Sequence, residues 1–288
     1  MDALIPIGLL LALALALYYP RWSLRRALAR PLPAEALRVL QRNVRGYARM
    51  PAALQQQLQR LVRQFLHQKK FIGCDGLEVS DEMAVTVAGH ACMLLLNRPS
   101  KVYPGLHTIL LYPGAFVAQR QDVGAGGVVT PYRYTMLGES WDDGRVVLSW
   151  DDVQRNALDG SGHNVVLHEF AHQLDSESGR TNGAPYLGSH ASYRRWSEVL
   201  SRAFADLRYD VNFGRPSVLD PYGATNPAEF FAVATETYFE QPYQLAAHHP
   251  ELFAELGQYY RVDPRGWQAP PPAPEVPAPP QYAYLSGW

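Results

Sequence analysis

The stretch NVVLHEFAHQLD, residues 164–175, is the most informative part of this 288-residue chain. It holds an H-E-x-x-H motif in otherwise apolar sequence, which predicts a helix. Helical spacing places His168 and His172 one turn apart on the same face, so both imidazoles can reach a single metal ion. Glu169 is offset by about 100° around the helix, which lets its carboxylate approach an attacking water without being a ligand. The pattern predicts a hydrolytic Zn²⁺ site, and the alternative is a pair of structural histidines on a packing face.

The third ligand of a catalytic zinc must come from outside the motif. His90 lies on another predicted helix, and His163 is too close in sequence to fold back, so both are poor candidates. Downstream, residues 220–240 carry Glu229 and Glu236 on one helical face in apolar sequence, where an unpaired carboxylate is costly. Spacing does not choose between them, and Glu229 also suits a capping box at the start of that helix.

Asp175 is a candidate for orienting one of the ligand imidazoles. It follows His172 by three residues on the same helical face, where its carboxylate can accept the far N–H of a ligand ring. Such a carboxylate fixes the orientation and the tautomer of the imidazole. The alternative is a polar residue at the end of the helix with no part in the site.

The charges divide the chain into two units, although the net charge is only −1. Residues 20–73 carry twelve Lys or Arg and one acid, whereas residues 74–288 carry fourteen bases and twenty-five acids. A hydrophobic content of 47% with 18% charged residues excludes a disordered chain and a multi-span membrane protein. Two cysteines are too few for a disulfide scaffold or a four-thiolate zinc site.

Residues 3–19 form an uncharged run of seventeen, at the lower edge of what spans a bilayer as a helix. The run has neither the polar stripe of a buried helix nor the positive start of a signal peptide. Arginines follow at once, and by the positive-inside rule they keep the rest of the chain in the cytoplasm. We therefore expect an anchor in the inner membrane with a cytoplasmic catalytic domain, the alternative being a cytoplasmic protein.

These patterns predict an α+β fold in four segments. Residues 1–20 are the expected transmembrane anchor and residues 21–50 a basic juxtamembrane helix. Residues 51–264 are the expected zinc peptidase domain, zincin-like and mainly helical with a small β-sheet. Residues 265–288 form a proline-rich tail that cannot pack as helix or sheet.

Two surfaces of the predicted domain have expected partners. We expect the basic residues between 21 and 70 to face anionic lipid headgroups, the alternative being a solvated helix face. Residues 146–150 are the expected strand edge for an extended peptide substrate, the alternative being a core strand.

HEFAHQLD followed by DPYGATNPAEFFA, residues 220–232, resembles the bacterial MtfA (Mlc titration factor A) family of zinc-dependent peptidases. The resemblance covers roughly residues 54–264 and includes LGESWDDGRVVLSWDD, residues 137–152. It implies that zinc is held by two histidines and Glu229, which ranks Glu229 over Glu236.

The resemblance also implies roles for the residues around the metal. His168 and His172 are the implied ligands beside Glu229, and Glu169 is the implied general base. Tyr222 matches a tyrosine that polarises the scissile carbonyl or stabilises its oxyanion.

Three functions follow as hypotheses. The first is a zinc peptidase, aminopeptidase-like by resemblance. The second is a regulatory protein that sequesters a DNA-binding transcriptional repressor, as the family name implies. The third is a zinc-stabilised structural module at the membrane. We expect no direct contact with nucleic acid.

Overall fold

The structure, a computed structural model, describes residues 4–99, 101–123, 129–136, 138–141, 144–159 and 162–270. Its helices are α1 Leu4–Leu28, α2 Ala34–Asn43, α3 Ala52–Gln68, α4 Asp81–Met93, α5 Trp150–Asp159, α6 Val165–Ser176, α7 His190–Asn212, α8 Pro227–Glu240, α9 Pro242–His248 and α10 Pro250–Tyr260. Its strands are β1 Lys70–Gly73, β2 Thr108–Tyr112, β3 Phe116–Val123, β4 Val129–Met136, β5 Gly138–Trp141 and β6 Arg145–Ser149. The predicted architecture, mainly helical with a small sheet, is confirmed.

The main sheet has the strand order β1-β2-β6-β5. β1, β2 and β6 are parallel, and β5 is antiparallel to β6. Because β6 has a neighbour on each side, the prediction that residues 146–150 form a free edge is wrong. Val146, Val147 and Leu148 are all buried, as is typical of an internal strand covered on both faces. Within the described residues, the edge beside β6 is β5.

Aromatic packing fixes the position of α6, the helix that carries the H-E-x-x-H motif. The Phe170 ring centroid lies 4.8 Å from that of Tyr103 and 5.6 Å from that of Phe65. All three side chains are buried, and each contributes on the order of 2 kcal/mol or more of hydrophobic stabilisation. On another side α6 contacts α8, which is buried from Phe230 to Glu240 and is largely apolar outside the face that carries its glutamates.

The predicted basic helix of residues 21–50 is not continuous. α1 ends before a Pro-containing connection, α2 begins at Ala34, and the chain leaves helical geometry after Asn43. Gly46 then adopts φ 77°, and a Cβ there would lie 2.4 Å from Cδ1 of Trp267. The break is therefore set by a turn that only glycine fits beneath the Trp267 ring.

The predicted membrane anchor lies on the N-terminal part of α1, where the side chains of residues 3–14 and 17 are outside the described part. Among the described residues, no helix has the combined length and apolarity that a membrane crossing needs. The second half of α1 is docked on α3, because Arg63 donates to the carbonyl oxygen of Ala27 at 3.3 Å. The anchor itself stays a prediction.

The predicted tail begins too early at residue 265. Trp267 is buried, and the side-chain amide of Gln268 donates to the carbonyl oxygen of Phe239 at 2.8 Å. Residues 265–270 therefore belong to the folded body, since the indole ring has apolar surface to bury. Residues 271–288 lie outside the described part.

Candidate metal centre

Three predicted site residues converge where α6 contacts α8. His168 Nε2 lies 3.0 Å and His172 Nε2 3.4 Å from Glu229 Oε2. The two imidazole Nε2 atoms are 3.2 Å apart. One ligand atom from each residue lies within 4.8 Å of the other two. The structure therefore joins the two motif histidines to a carboxylate from a second helix.

This donor set fits a divalent metal ion. Two imidazole nitrogens and a carboxylate oxygen are a known ligand set of catalytic zinc. His168 uses its other nitrogen, Nδ1, to donate to Glu236 Oε1 at 2.6 Å, so its Nε2 lone pair faces Glu229 and His172. Lone pairs that converge in this way are satisfied together by a cation. Burial lowers the pKa of His168, but the carboxylates of Glu236 and Glu229 outweigh this effect and raise the pKa well above its usual value.

The start of α8 explains how Glu229 is positioned. Asn226 is the N-cap, and its side-chain oxygen accepts from the backbone N–H of Ala228 at 2.9 Å and of Glu229 at 3.0 Å. Pro227 occupies the first turn, where a missing N–H costs nothing. The Asn226 cap predicted from sequence is present. The Glu229 carboxylate does not take part in the cap, because it contacts the imidazoles of His168 and His172.

Glu169 is a buried carboxylate beside this cluster. It is only 5% exposed, and within the described part of the chain its Oε2 atom has no hydrogen-bond partner. Burial raises its pKa to about 7, and the positive charges of His168 and His172 oppose the rise. A carboxylate with a pKa near neutrality suits both the acceptance and the return of a proton.

Tyr222 lies at the solvent side of the site. Its ring centroid is 5.9 Å from that of His168, and the residue is 52% exposed. A 3-10 turn over Pro221–Ala224 holds it, capped by Asp220 Oδ1, which accepts the Tyr222 N–H at 2.7 Å. The predicted catalytic tyrosine therefore stands beside a histidine of the candidate metal site, on its solvent-exposed side.

Glu236 lies behind His168. Its Oε1 accepts from His168 Nδ1 at 2.6 Å, and its Oε2 accepts from the backbone N–H of Asn164 at 2.7 Å. Both oxygens are occupied, which leaves Glu229 as the carboxylate that faces the two Nε2 atoms. Glu236 therefore performs the orienting task that the sequence suggested for Asp175.

Asp175 has other partners. Its Oδ2 accepts from the backbone N–H of Gly183 at 2.6 Å. Its Oδ1 and His172 Nδ1 are both buried with no hydrogen-bond partner among the described residues. The expected bond from Asp175 to a ligand imidazole is therefore not formed, because the loop after α6 folds back and takes the carboxylate.

Two further residues extend the site and were missed from sequence. Glu240, one turn beyond Glu236, accepts from Asn164 Nδ2 at 2.8 Å. Asn164 in turn caps α6, since its Oδ1 accepts from the Leu167 N–H at 3.1 Å. Arg45 Nη1 lies 3.7 Å from the second oxygen of Glu240. The only available signal was the placement of Glu229, Glu236 and Glu240 on one face of α8.

The fold and this centre define a class, that of metal-dependent hydrolases with ligands on two adjacent helices. The sequence comparison narrows the class, because the family model described as "Glucose-regulated metallo-peptidase M90" matches residues 19–261. This chain belongs to the M90 metallopeptidase family, and it is an enzyme of that kind. The resemblance to MtfA proteins is thereby confirmed.

Curated relatives agree with this assignment. An uncharacterized protein of Synechocystis sp. is 39% identical over 254 residues, 85% of this chain and 91% of the relative. Mlc titration factor A of Salmonella typhimurium is 32% identical over 218 residues, 75% of this chain and 82% of the relative. The protein of that name in Salmonella gallinarum has the same identity and coverage.

Proposed function

We propose that this protein hydrolyses peptide bonds with a Zn²⁺ ion held by His168, His172 and Glu229. The observation that carries the proposal is the convergence of these three ligand atoms beside the buried, unpartnered oxygen of Glu169. When bound, zinc supplies Lewis acidity, which lowers the pKa of water and polarises a carbonyl group. The remaining chemistry belongs to side chains of this chain.

Glu169 is the proposed general base. Its carboxylate is buried and its Oε2 atom has no hydrogen-bond partner among the described residues, so it can accept a proton from the attacking water. The same group then donates that proton to the departing amine, so the base is regenerated within one turnover. Burial favours the neutral, protonated form between the two transfers.

Tyr222 and Glu236 have supporting roles in this proposal. The Tyr222 hydroxyl donates a hydrogen bond to the carbonyl oxygen as negative charge develops there. Its position beside His168 and its exposure to solvent support this role. Glu236 holds the His168 ring in the tautomer and orientation that present Nε2 to the metal.

The proposed substrate is an extended peptide that pairs with β5. β5 contacts α6 and, among the described strands, lies at the end of the sheet, so its backbone groups on the outer side are available. Strand addition to such an edge uses the N–H and C=O groups of any peptide, whatever its sequence. Aminopeptidase-like cleavage is the more specific form of the proposal and rests on the MtfA resemblance alone.

A second candidate function is the binding of a transcriptional repressor, with hydrolysis secondary. The observation in its favour is that relatives covering three quarters of this chain are named Mlc titration factor A. Repressor binding requires a binding surface but no turnover. A variant that cannot hydrolyse peptides therefore distinguishes repressor binding from the peptidase function.

We also propose that the N-terminal segment holds the enzyme at the cytoplasmic face of the inner membrane. Tyr18, Tyr19 and Trp22 are exposed on α1, and aromatic side chains favour the membrane interface. Arg21 and Arg25 lie on the same helix, where they suit anionic headgroups. Fractionation of cells that express the chain with and without residues 1–20 tests this, and equal solubility of both forms would contradict it.

The test of the main proposal is metal analysis with a peptide digest on the purified full chain. We expect about one Zn²⁺ per chain, and cleavage that a chelator stops and zinc restores. Glu169→Gln should keep the metal and lose hydrolysis, because the amide cannot accept the proton. Glu251→Gln, at an exposed glutamate paired with Arg202, is the matched control and should keep both.

Two outcomes separate the hypotheses. Undiminished cleavage by zinc-loaded Glu169→Gln protein would overturn the proposed mechanism. Capture of a repressor by the same variant would show that binding needs no chemistry, which favours the second function.

A further inference from the structure

A cavity of about 1270 Å³ opens at the C-terminal end of α6. Gln173 and Ser176 line it, and each lies one helical turn beyond a residue of the site, Glu169 and His172 respectively. One turn of helix is about 5.4 Å long, so the cavity adjoins the metal centre along the same helix. The other walls come from α7, α10, Gly144 and loop residues within 98–99, 101–105 and 179–188.

The charge of this cavity is opposite to that of the surrounding domain. Residues 74–288 contain fourteen bases and twenty-five acids. Five of those bases line the cavity, together with two of the acids. An acidic domain that gathers a third of its bases around one concavity creates a local positive potential, which attracts anions. The five bases are Arg98, Lys101, Arg180, Arg195 and Arg261.

The two acids do not neutralise the cavity. Glu255 is paired with Arg195, whose Nε lies 2.7 Å from its Oε2. Glu177 lies near Arg98 and offsets one further positive charge, so five bases and two acids leave a net charge of about +3 around the cavity. The three remaining bases, Lys101, Arg180 and Arg261, are exposed and have no ion pair among the described residues.

Buried hydrogen-bond donors lie in the same wall. The Arg98 guanidinium carbon is 4.2 Å from the centroid of the Tyr259 ring. Burial raises the pKa of Tyr259, and the neighbouring Arg98 guanidinium opposes that rise, while Arg98 Nη1 and Tyr259 Oη are both buried with no hydrogen bond to any other described residue. Buried polar atoms of this kind are rare in folded proteins, and a ligand with acceptor oxygens would satisfy them.

We propose that this cavity binds the carboxylates of an acidic segment in the peptide substrate, and the inference rests on the proposed peptidase function. An extended peptide advances about 3.3 Å per residue, and one turn of α6 is about 5.4 Å long. The cavity therefore begins about two substrate residues away from the scissile bond. Arginine and lysine then pair with Asp or Glu side chains of the substrate at that distance and beyond. A cavity of this volume is much larger than a single small anion requires, which favours a peptide.

The experiment compares two fluorogenic peptides of otherwise identical sequence. One has Asp or Glu at the positions two to four residues from the cleaved bond, on both sides of it. The other has Asn or Gln at the same positions. The full chain should cleave the acidic peptide with the higher kcat/KM. Arg180→Glu and Lys101→Glu should each lower the ratio of acidic to neutral kcat/KM about fivefold, since each reverses an exposed charge. Arg208→Glu, an exposed arginine of α7 outside the cavity, is the control and should leave the ratio unchanged.

A binding assay keeps this inference separate from the peptidase proposal. Anisotropy of the labelled acidic peptide on Glu169→Gln protein measures binding without turnover, and Arg180→Glu should weaken that binding. Failure to cleave any peptide, with selective binding retained, overturns the peptidase proposal alone. Equal affinity for both peptides overturns the inference, as does binding of free phosphate or glutamate without binding of the acidic peptide.

Discussion

The two ends of α6 differ in charge and in construction. The N-terminal half carries His168 and Glu169 beside the carboxylates of α8, and the two ring nitrogens of His168 lie within hydrogen-bonding distance of Glu236 and Glu229. The C-terminal end opens into a cavity lined by basic side chains that are mostly exposed to solvent. Three of these side chains have no ion pair in the described part of the chain. One end therefore resembles a pre-organised reaction centre and the other an adaptable binding surface.

The difference has an energetic consequence. Removal of one partner from a buried charge pair costs about 3–5 kcal/mol, because the other charge is left without compensation. Removal of an exposed charge costs about 0.2–1 kcal/mol, because water and salt screen it. A single substitution at the metal end should therefore have a large effect on activity or stability. At the cavity each substitution should have a small effect, and several together should be needed for a large one.

The largest effect is expected for Glu229→Gln. The change removes the proposed ligand from α8, so we expect metal loss and a fall in hydrolysis of about a thousandfold or more. Metal content by mass spectrometry and kcat/KM on a peptide measure it. Stoichiometric zinc in this variant would show that another residue supplies the third ligand.

A pH effect on stability should follow from Glu240 on the same face of α8. Burial raises its pKa to about 7, partly offset by Asn164 and Arg45, so folding favours its protonated form. Stability from this group is present below its unfolded pKa near 4.5 and is lost as the pH rises through about 7. The loss amounts to about 3 kcal/mol between pH 4.5 and 8.

Glu240→Gln tests that effect, because the amide stays neutral and its oxygen still accepts from Asn164. Chemical denaturation at several pH values should show a smaller decline in the free energy of unfolding for the variant than for the parent. Parallel curves for the two proteins would mean that Glu240 is already ionised in the folded state.

Glu236→Gln should have an intermediate effect on function. The amide holds His168 less firmly than a carboxylate does, so metal affinity or activity should fall about 10–100-fold. A zinc titration measures the loss of orientation, and the free energy of unfolding, measured in parallel, gives the cost of removing the buried charge. Unchanged zinc affinity would remove Glu236 from the site.

Gly183→Ala tests the loop that follows α6 and contacts the start of α8. Gly183 has φ 80°, and a Cβ would lie 2.3 Å from the carbonyl oxygen of Pro227, at the start of α8. We expect a loss of about 1–3 kcal/mol of unfolding free energy. Gly179→Ala is the matched control, because φ is 91° there but nothing lies within 4 Å of the added Cβ. Equal losses would show that strain alone, without the contact to α8, accounts for the effect.

The smallest expected effect is the coupling between the two ends. Glu236→Gln combined with Arg180→Glu should change kcat/KM for the acidic peptide additively, within about 0.5 kcal/mol. A double-mutant cycle measures this coupling. A larger coupling energy would mean that the cavity and the metal centre form one cooperative site.

Much of the metal centre was predictable from local periodicity. The helical repeat places His168 and His172 on one face and Glu169 beside them whatever the rest of the chain does. The Asn226 cap was also readable, since capping depends on neighbouring residues. The choice of Glu229 over Glu236 was different, because both lie on one face of α8 and only the resemblance ranked them.

Local sequence patterns were therefore sufficient for the H-E-x-x-H motif, for the helices that carry its residues and for the contrast between a basic N-terminal segment and an acidic body. Three other features became clear from the folded chain alone. Among the described strands β5 and not β6 lies at the edge of the sheet, Glu236 and not Asp175 hydrogen-bonds to a motif histidine, and five bases surround one cavity. The reason is physical. Helical periodicity acts over a few residues, whereas strand order, carboxylate partners and cavity walls depend on contacts between segments far apart in the chain.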